Sequence, residues 1–455
     1  MEGKGATQTQ TDTMASVNGN AAGIDIGTEQ IWVCVPPGRD AESVRCFGTF
    51  TPDLQHLAEW LKKCAVTTVA MESTGVYWIP LYELLEESGF EVALVNPAHL
   101  KHVPGRKSDI QDCQWIQRLH SFGLLNGSFR PTEQICTLRA YVRQRANLIQ
   151  YRASHIQHMQ KALALMNLQL PLVLSDIAGA TGLAIIRAIA AGEHNPIKLA
   201  ALRDWRCKHP ESEIRKALTG RYRREHVFAL KQALALYDAY TQQIAACDAE
   251  TEEYLSSLDT VTTDDPPPLP ANKDNSHCKN APSYDARTLL YRITGVDLVA
   301  ITGLNENSVQ TILSEVGTDM SRFPSEKHFC SWLGLAPHHN ITGGKVLSRH
   351  TVKTANRAGQ MFRLAAQAVG RSLDSVYGAF YRRMRAKLGP QRAIVATAHK
   401  LARAFYHMLK YRVPFQDTGA QDYEHRTRER ELASLAKRAA SLGFSLQPTV
   451  ATGSS

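Results

Sequence analysis

Hydrophobic and polar positions keep a strand-like period near the start of the chain and a helical one after it. From Ala22, short apolar runs separated by turn residues predict strands. GIDIGTEQIWVCVPP reads as a strand, a turn and a second strand, and SVRCFGTF as a third. Between Pro52 and Cys64, Leu54, Leu57, Trp60 and Leu61 keep helical spacing. VTTVAME is a buried strand ending on Glu72, and Val76 to Glu87 is a helix closed by Gly89. EVALVNP is a further strand and Asp109 to Phe122 a further helix, so the order is βββαβαβα, an α/β sheet.

After about Glu133 the period lengthens. Ile135, Val142, Ile149, Ile156 and Leu163 recur every seventh residue, with Leu138, Met159 and Met166 on companion positions. This pattern predicts a coiled coil or a long helical hairpin. A second helix, about Arg221 to Leu258, carries Leu230, Leu234, Tyr237, Ile244 and Leu258 and can return against the first. Heptads favour self-association without choosing between an intramolecular hairpin and an intermolecular coil. Arg145 and Arg152 interrupt the companion row. Either the seam stops being dry there, or the arginines face RNA or DNA.

These periods divide the chain into a disordered start (1–20), an α/β domain (21–127), a helical coiled-coil region (130–260) and a Pro-, Asp- and Asn-rich linker (261–284). A mostly helical unit follows (285–415), and then a charged tail with one helix (416–455). The helical unit opens with ITGVDLVAITGLNENSVQTILSEVG, whose paired Gly turns between short helices resemble a helix-hairpin-helix. The stretch 168–215 has no assigned role.

Composition narrows the function. A chain of 455 residues with 44% hydrophobic and 21% charged residues reads as a soluble multidomain protein. No run approaches a membrane span, and the polar N-terminus has no apolar core of a secretory signal. Nine cysteines without a CxxC pair argue against a disulfide framework or structural zinc, so a reducing cytoplasm is expected. The net charge is +9, but Ile341 to Arg412 holds 15 Lys or Arg against the single acid Asp374, +14 in all. The rest of the chain therefore sums to −5, and the basic segment is the footprint of a polyanion partner, nucleic acid first.

Two-metal phosphoryl chemistry needs several carboxylates converging on ions, and four acids stand where an RNase H-like sheet would gather them. Asp25 lies within the first strand, Glu72 ends the fourth, and Asp109 and Asp112 share one face of the last helix. In such a sheet these elements meet at one edge, and the oxygen-rich set suits Mg²⁺. Any one of these acids alone would be an ordinary cap. The GIDIGT run also occurs in sugar kinases, actins and Hsp70 chaperones, but the second Asp-Gly phosphate loop and Gly-rich adenosine motif of those ATPases are missing here.

In the basic segment, WLGLAPHHNITGGKVLSRHTVKTANRAGQMFRLAAQA predicts a short helix, a Pro turn, a Gly-Gly loop and a basic helix. Thr342-Gly343-Gly344-Lys345 offers a hydroxyl, flexible amides and a cation to a phosphodiester, and Ser348 and Arg349 follow closely. Lys353 and Arg357 continue the run, and AFYRRMRAKLG interleaves Phe380, Tyr381 and Met384 with Arg382, Arg383, Arg385 and Lys387. These cations are the candidate nucleic-acid contacts.

GIDIG with Asp25, MESTGVYW with Glu72, VNPAHLK and KSDIQD, followed by a coil and ITGV…F…FCSWLGLAP…TGGK, resemble the DEDD-motif transposases of the Insertion Sequence 110 family, also called bridge-RNA-guided recombinases. The resemblance covers about 22–125 and 286–412. It implies a RuvC-like domain whose carboxylates (Asp25, Glu72, Asp109 and Asp112) hold Mg²⁺, a coiled coil that assembles a dimer or tetramer, and a C-terminal transposase domain. It also implies a serine that forms a covalent phosphoserine with DNA, a structured non-coding RNA as guide, and action in a bacterial cytoplasm at the nucleoid. Where the family shows Ser-Gly or Ser-Ala-Gly, this chain has Thr342-Gly343. Position favours Thr342. Chemistry favours Ser348, a primary hydroxyl between Lys345 and Arg349. The rivals are a RuvC-like metal-dependent nuclease without a covalent intermediate, and a nucleic-acid-binding protein without catalysis.

Overall fold

Alternation in the first fifty residues resolves into three antiparallel strands, β1 (Ala21–Ile26), β2 (Ile31–Cys34) and β3 (Val44–Phe47). They are followed by α1 (Thr51–Lys63), β4 (Thr68–Glu72), α2 (Trp78–Glu87), β5 (Glu91–Val95) and α3 (Asp109–Ser121). The sheet order is β3-β2-β1-β4-β5, with β4 and β5 running parallel to β1. The computed structural model describes residues 16–73, 75–97, 108–268, 279–351 and 356–447, with only the backbone of 338–340, 349 and 350. Residues 1–15 of the segment expected to be disordered, part of the linker and Lys353 fall outside these residues. Residues 16–20, included in that expectation, are instead tied to the first unit, where Val17 and Asn18 donate to the carbonyl of Ser121 and the carbonyl of Asn20 accepts from Thr67.

The period-two rule sorts the sheet's residues between its faces. Ile24, Val69 and Met71 point into one core with Leu57, Leu61, Leu81 and Leu85 of α1 and α2. Ala70 points to the other side, where it packs with Val95 and with Ile116 of α3. By the same alternation Gly23, Asp25 and Glu72 belong to the face that α3 covers. β1 and β4 are neighbours inside the sheet, so their C-terminal ends meet near its middle, not at the expected edge.

The chain divides into two compact units, Met1–Arg130 and Pro131–Ser455. In the second, α4 (Glu133–Leu165) and α9 (Arg224–Ser257) form an antiparallel pair within one chain. Four short helices sit at its turn: α5 (Leu170–Val173), α6 (Ala180–Ala191), α7 (Pro196–Ala200) and α8 (Glu211–Ala217). Their Leu170, Ile185, Ile189, Leu199 and Ile214 join Leu163 and Leu230 of the long helices in a separate core.

The arginines of the seam have partners within the chain. Arg145, only 5% exposed, forms an ion pair with Asp248 of α9 and donates to the carbonyls of Asn280 and Ala281, each at 3.0 Å. Arg152 donates to Asn280 Oδ1 at 2.9 Å. A guanidinium in an apolar seam is tolerable only when its donors are met, and here the returning helix and the 280–281 segment meet them.

The remaining elements are α10 (Ala286–Thr294), α11 (Glu306–Val316), α12 (Glu326–Trp332), β6 (Pro337–Thr342), β7 (Lys345–Thr351), α13 (Arg357–Val369), α14 (Val376–Leu388), α15 (Pro390–Tyr411) and α16 (Ala420–Ser441). Arg139 and Arg143 of α4 hold Glu315 of α11, with contacts of 3.3 and 2.8 Å. Aromatic edges of Phe329, Phe362, Phe405 and Tyr406 centre this body on α15. In the helix-hairpin-helix-like stretch Gly303, at φ +91°, abuts Val369 and Ala365, so that turn packs onto α13. No helix among the described residues is long and apolar enough to cross a membrane.

One expectation is corrected. Residues 337–351, read as a Pro turn and a Gly-Gly loop running into a basic helix, form a two-stranded antiparallel ribbon. Gly343 and Gly344, with φ +55° and +76°, make the tight turn that joins twisted strands, and the helix begins only at Arg357.

Candidate active site and nucleic-acid interface

The acidic site is assembled by backbone proximity. In the parallel register Ile24 faces Met71, so Asp25 and Glu72 are the next residues along adjacent strands. α3 crosses above them because position 23 is glycine: a β-carbon there would fall on the backbone nitrogen of Gln117 and the carbonyl of Cys113. Gln117 also donates from Nε2 to the carbonyl of Ala21 at 3.2 Å, pinning the helix to the strand. Asp109 and Asp112 occupy the first turn of α3, where the helix dipole favours negative charge.

The four acids share one electrostatic field. The pKa of Asp25 rises from 3.8 to about 6, first because burial penalises its charge and then through Asp112, Asp109 and Glu72 in turn. Only the backbone N–H of Ile26 counteracts this. Among the described residues no group of three or more His, Cys, Asp or Glu stands close enough to hold an ion as the side chains lie. The donor set nonetheless suits a hard divalent cation, because oxygen ligands and mutual repulsion at a half-buried carboxylate are what such a cation would relieve. Below the acids, Cys113 and Cys34 are buried thiols with pKa values pushed up to about 12 and 11, and are inert.

In the second unit the ribbon gathers part of the basic constellation. Thr342 pairs with Lys345 and Asn340 with Ser348, while Ile341 pairs with Val346. β7 therefore holds one extra residue, Leu347, and this bulge resets its alternation. Thr342, Lys345 and Ser348 consequently share one face of the ribbon. Thr342 and Lys345 are exposed at the tip and Ser348 is half-buried. Arg349 lies in β7 opposite His339, Arg357 is the first residue of α13, and Lys353 lies outside the described residues.

The arginines of α14 divide. Arg382 donates to the carbonyls of Ser372 (2.7 Å) and Leu373 (3.1 Å) and stands 3.9 Å from Glu424. Arg383 pairs with Glu431 at 2.8 Å. Both acids belong to α16, which docks by Tyr423 against Phe380, edge-on, with the Lys400 ammonium over both rings at 5.3 and 4.3 Å. Burial first, then Arg403, Arg430 and Arg383, lowers the Lys400 pKa. Arg385 stays exposed. Sequence reading missed this cover, because the charges of α16 balance internally and carry no sign of their partners. It missed Gly23 too, although a glycine two residues from a strand carboxylate, on the same face, marks a close backbone approach.

Two family models match the chain. A DEDD transposase model of the IS110 type, described as transposase, matches residues 22–167. The model for transposases of the IS116/IS110/IS902 family matches residues 297–382. Together they span just over half of the 455 residues and include both the carboxylate sheet and the ribbon. No curated protein matches the chain.

Proposed function

The chain belongs to the IS110 family of transposases, and from that premise we propose that it moves an insertion sequence with Mg²⁺ held by Asp25, Glu72, Asp109 and Asp112 and a hydroxyl nucleophile from Thr342 or Ser348. A transposase cuts and rejoins DNA, and a DEDD transposase domain points to divalent-metal dependence. The observation that carries the metal assignment is the pKa of Asp25, raised by carboxylates from β4 and α3 together. Bound Mg²⁺ would supply charge neutralisation at phosphate oxygens. The chain's own part would be to carry the four acids on two strands and a helix, elements from which their side chains can turn onto an ion.

On the ribbon, the hydroxyl oxygen forms a bond to phosphorus as the sugar oxygen leaves and takes a proton. Lys345, on the same face as both candidate hydroxyls, offsets phosphate charge. The reading includes a structured non-coding RNA as guide, a dimer or tetramer, and action at the nucleoid in a bacterial cytoplasm. The basic excess of Ile341 to Arg412 supports a polyanion at this end of the chain.

The test is denaturant-resistant capture of protein on DNA bearing the element's ends, with peptide mapping of the adduct. An adduct on Thr342 or Ser348 is expected, lost when that residue becomes alanine and lost in Asp25→Asn. Mg²⁺-dependent free ends without an adduct would indicate a RuvC-like nuclease. Binding without cleavage would indicate a non-catalytic nucleic-acid-binding protein, and either result overturns the proposal.

A further inference from the structure

The helices at the turn of the hairpin, within 166–223, play no part in the reading above, and one of their loops holds a side chain out to solvent. The loop joins α7 to α8 and reads ALRDWRCKHP (201–210). Asp204 ties it down: its N–H donates to the Thr181 hydroxyl (3.0 Å), and its carboxylate accepts from the backbone N–H of Arg206 (2.9 Å) and from the Arg206 guanidinium (2.9 and 3.2 Å). Arg203 closes the loop by donating to the carbonyl of Cys207 at 2.8 Å. Between these anchors Trp205 is 83% exposed, with the Arg206 guanidinium 6.0 Å from its ring centre.

A packed tryptophan buries about 150–250 Å², and this one leaves most of that area uncovered although a core lies a few residues away at Leu199 and Ile214. Because the loop is already fixed, covering the indole would cost little ordering entropy. The surroundings select the partner. Residues 166–223 hold nine Lys or Arg against five Asp or Glu. A cavity of about 330 Å³ lined by Thr181, Arg206, Lys208 and His209 adjoins the loop. The cavity also contains Asp176 and Asp204, but their charges are met by Lys279 and Arg206. Within the loop only Leu202 joins Trp205 as a large exposed apolar side chain, too little for a hydrophobic protein interface. A lone π face beside cations matches an unpaired base and its phosphate.

We propose that this loop is a stacking platform for single-stranded nucleic acid, with a base on Trp205 and the adjoining phosphate near Lys208. The site lies apart from the carboxylates and does not depend on their role.

The test uses the full chain with oligomers of about eight nucleotides, an RNA and a DNA version, each carrying a photoreactive 5-iodouracil. The expected adduct falls on the peptide containing Trp205. Trp205→Ala should weaken binding by ~5- to 150-fold, the equivalent of one base stack, while Trp205→Phe keeps most of it. Thermal stability should not change, since the side chain is exposed. The oligomer with the greater loss identifies the source as RNA or DNA. The metal assignment fails by a different result, Mg²⁺-dependent cleavage that survives Asp25→Asn, so this proposal and that assignment fail separately. Unchanged binding by Trp205→Ala with the adduct elsewhere overturns the proposal. Loss of self-association by Trp205→Ala in sedimentation, with oligomer binding intact, would make the loop a protein contact and overturns it equally.

Discussion

Gly23 of β1 lies against the backbone of Gln117 in α3, with no room between them for a methyl group. That contact brings the first turn of α3, with Asp109 and Asp112, to the strand that carries Asp25. Gly23→Ala should force the helix off the sheet and destabilise the first unit by ~1–3 kcal/mol, the cost of overpacking a tight interface. In protein that remains folded, the Asp25 pKa should move back towards its ordinary 3.8 as Asp112 and Asp109 withdraw, and Mg²⁺-dependent cleavage should fall. Carboxyl titration by NMR with a cleavage assay checks both. A variant with wild-type titration and activity would contradict the role given to this glycine.

The raised Asp25 pKa also sets a pH dependence with a definite sign. Below pH 3.8 the group is protonated in both folded and unfolded chains and contributes no difference. Between 3.8 and about 6 the folded chain keeps a proton that the unfolded chain has released, so stability falls as pH rises. Above about 6 the penalty is complete; the carboxylate is only half-buried, so solvent screening keeps it well below the ~3 kcal/mol that 1.36 kcal/mol per pKa unit would give. Denaturant melts in a chelator across this window should show the decline. Asp25→Asn should remove this component, and saturating Mg²⁺ should suppress it.

How far the sequence reached depends on whether a feature repeats locally. The strands of the first unit and the long helices α4 and α9 follow from periodicity, because each buries a regular stripe. The four acids stood out because Asp25 and Glu72 sit in apolar strands. The β6–β7 ribbon was misread because Ile341, Val346 and Leu347 are all exposed, so burial imposes no alternation on it. Arg145 was visible as an anomaly, but Asp248 is 103 residues away and nothing in the sequence joins them.

The ribbon's turn offers a separate test. Gly343 and Gly344 both need positive φ, which costs an L-residue roughly 1–2 kcal/mol each. Gly343→Ala with Gly344→Ala should splay the tip, where neither glycine has a neighbour within 4 Å of a built β-carbon. Global melting should barely move, since the tip supports no core. Adduct yield should drop at least ~10-fold, because Thr342, Lys345 and Ser348 lose their common face. An unaltered yield would show that the nucleophile does not depend on this ribbon.

In the hairpin, Asp248→Ala would leave the buried Arg145 guanidinium without its counter-charge and should cost about 3–5 kcal/mol. Replacing the pair together, Arg145→Met with Asp248→Leu, should restore most of that loss. Nucleic-acid affinity should match wild type in the double variant, since Arg145 is only 5% exposed. A weakened affinity at wild-type stability would return Arg145 to the polyanion contacts.

The cover formed by α16 should be measurable as a salt effect. Glu431 and Glu424 stand where phosphates would meet Arg383 and Arg382, and the facing side chains are roughly half exposed, so these ion pairs are individually weak. A duplex therefore competes with α16 for the arginines at little cost. Glu424→Gln with Glu431→Gln keeps the Tyr423–Phe380 contact and removes only the competing charge. Affinity for duplex DNA should rise, and the slope of log K against log salt should steepen by ~0.9 for each phosphate gained. Two arginines set the limit, and Arg382, already bonded to two carbonyls, should contribute less than Arg383. Truncation after Gly419 should produce the same direction with a larger change, because it also uncovers Phe380 and Lys400. An unchanged slope in both variants would mean that α14 does not touch DNA and that α16 is simply part of its packing.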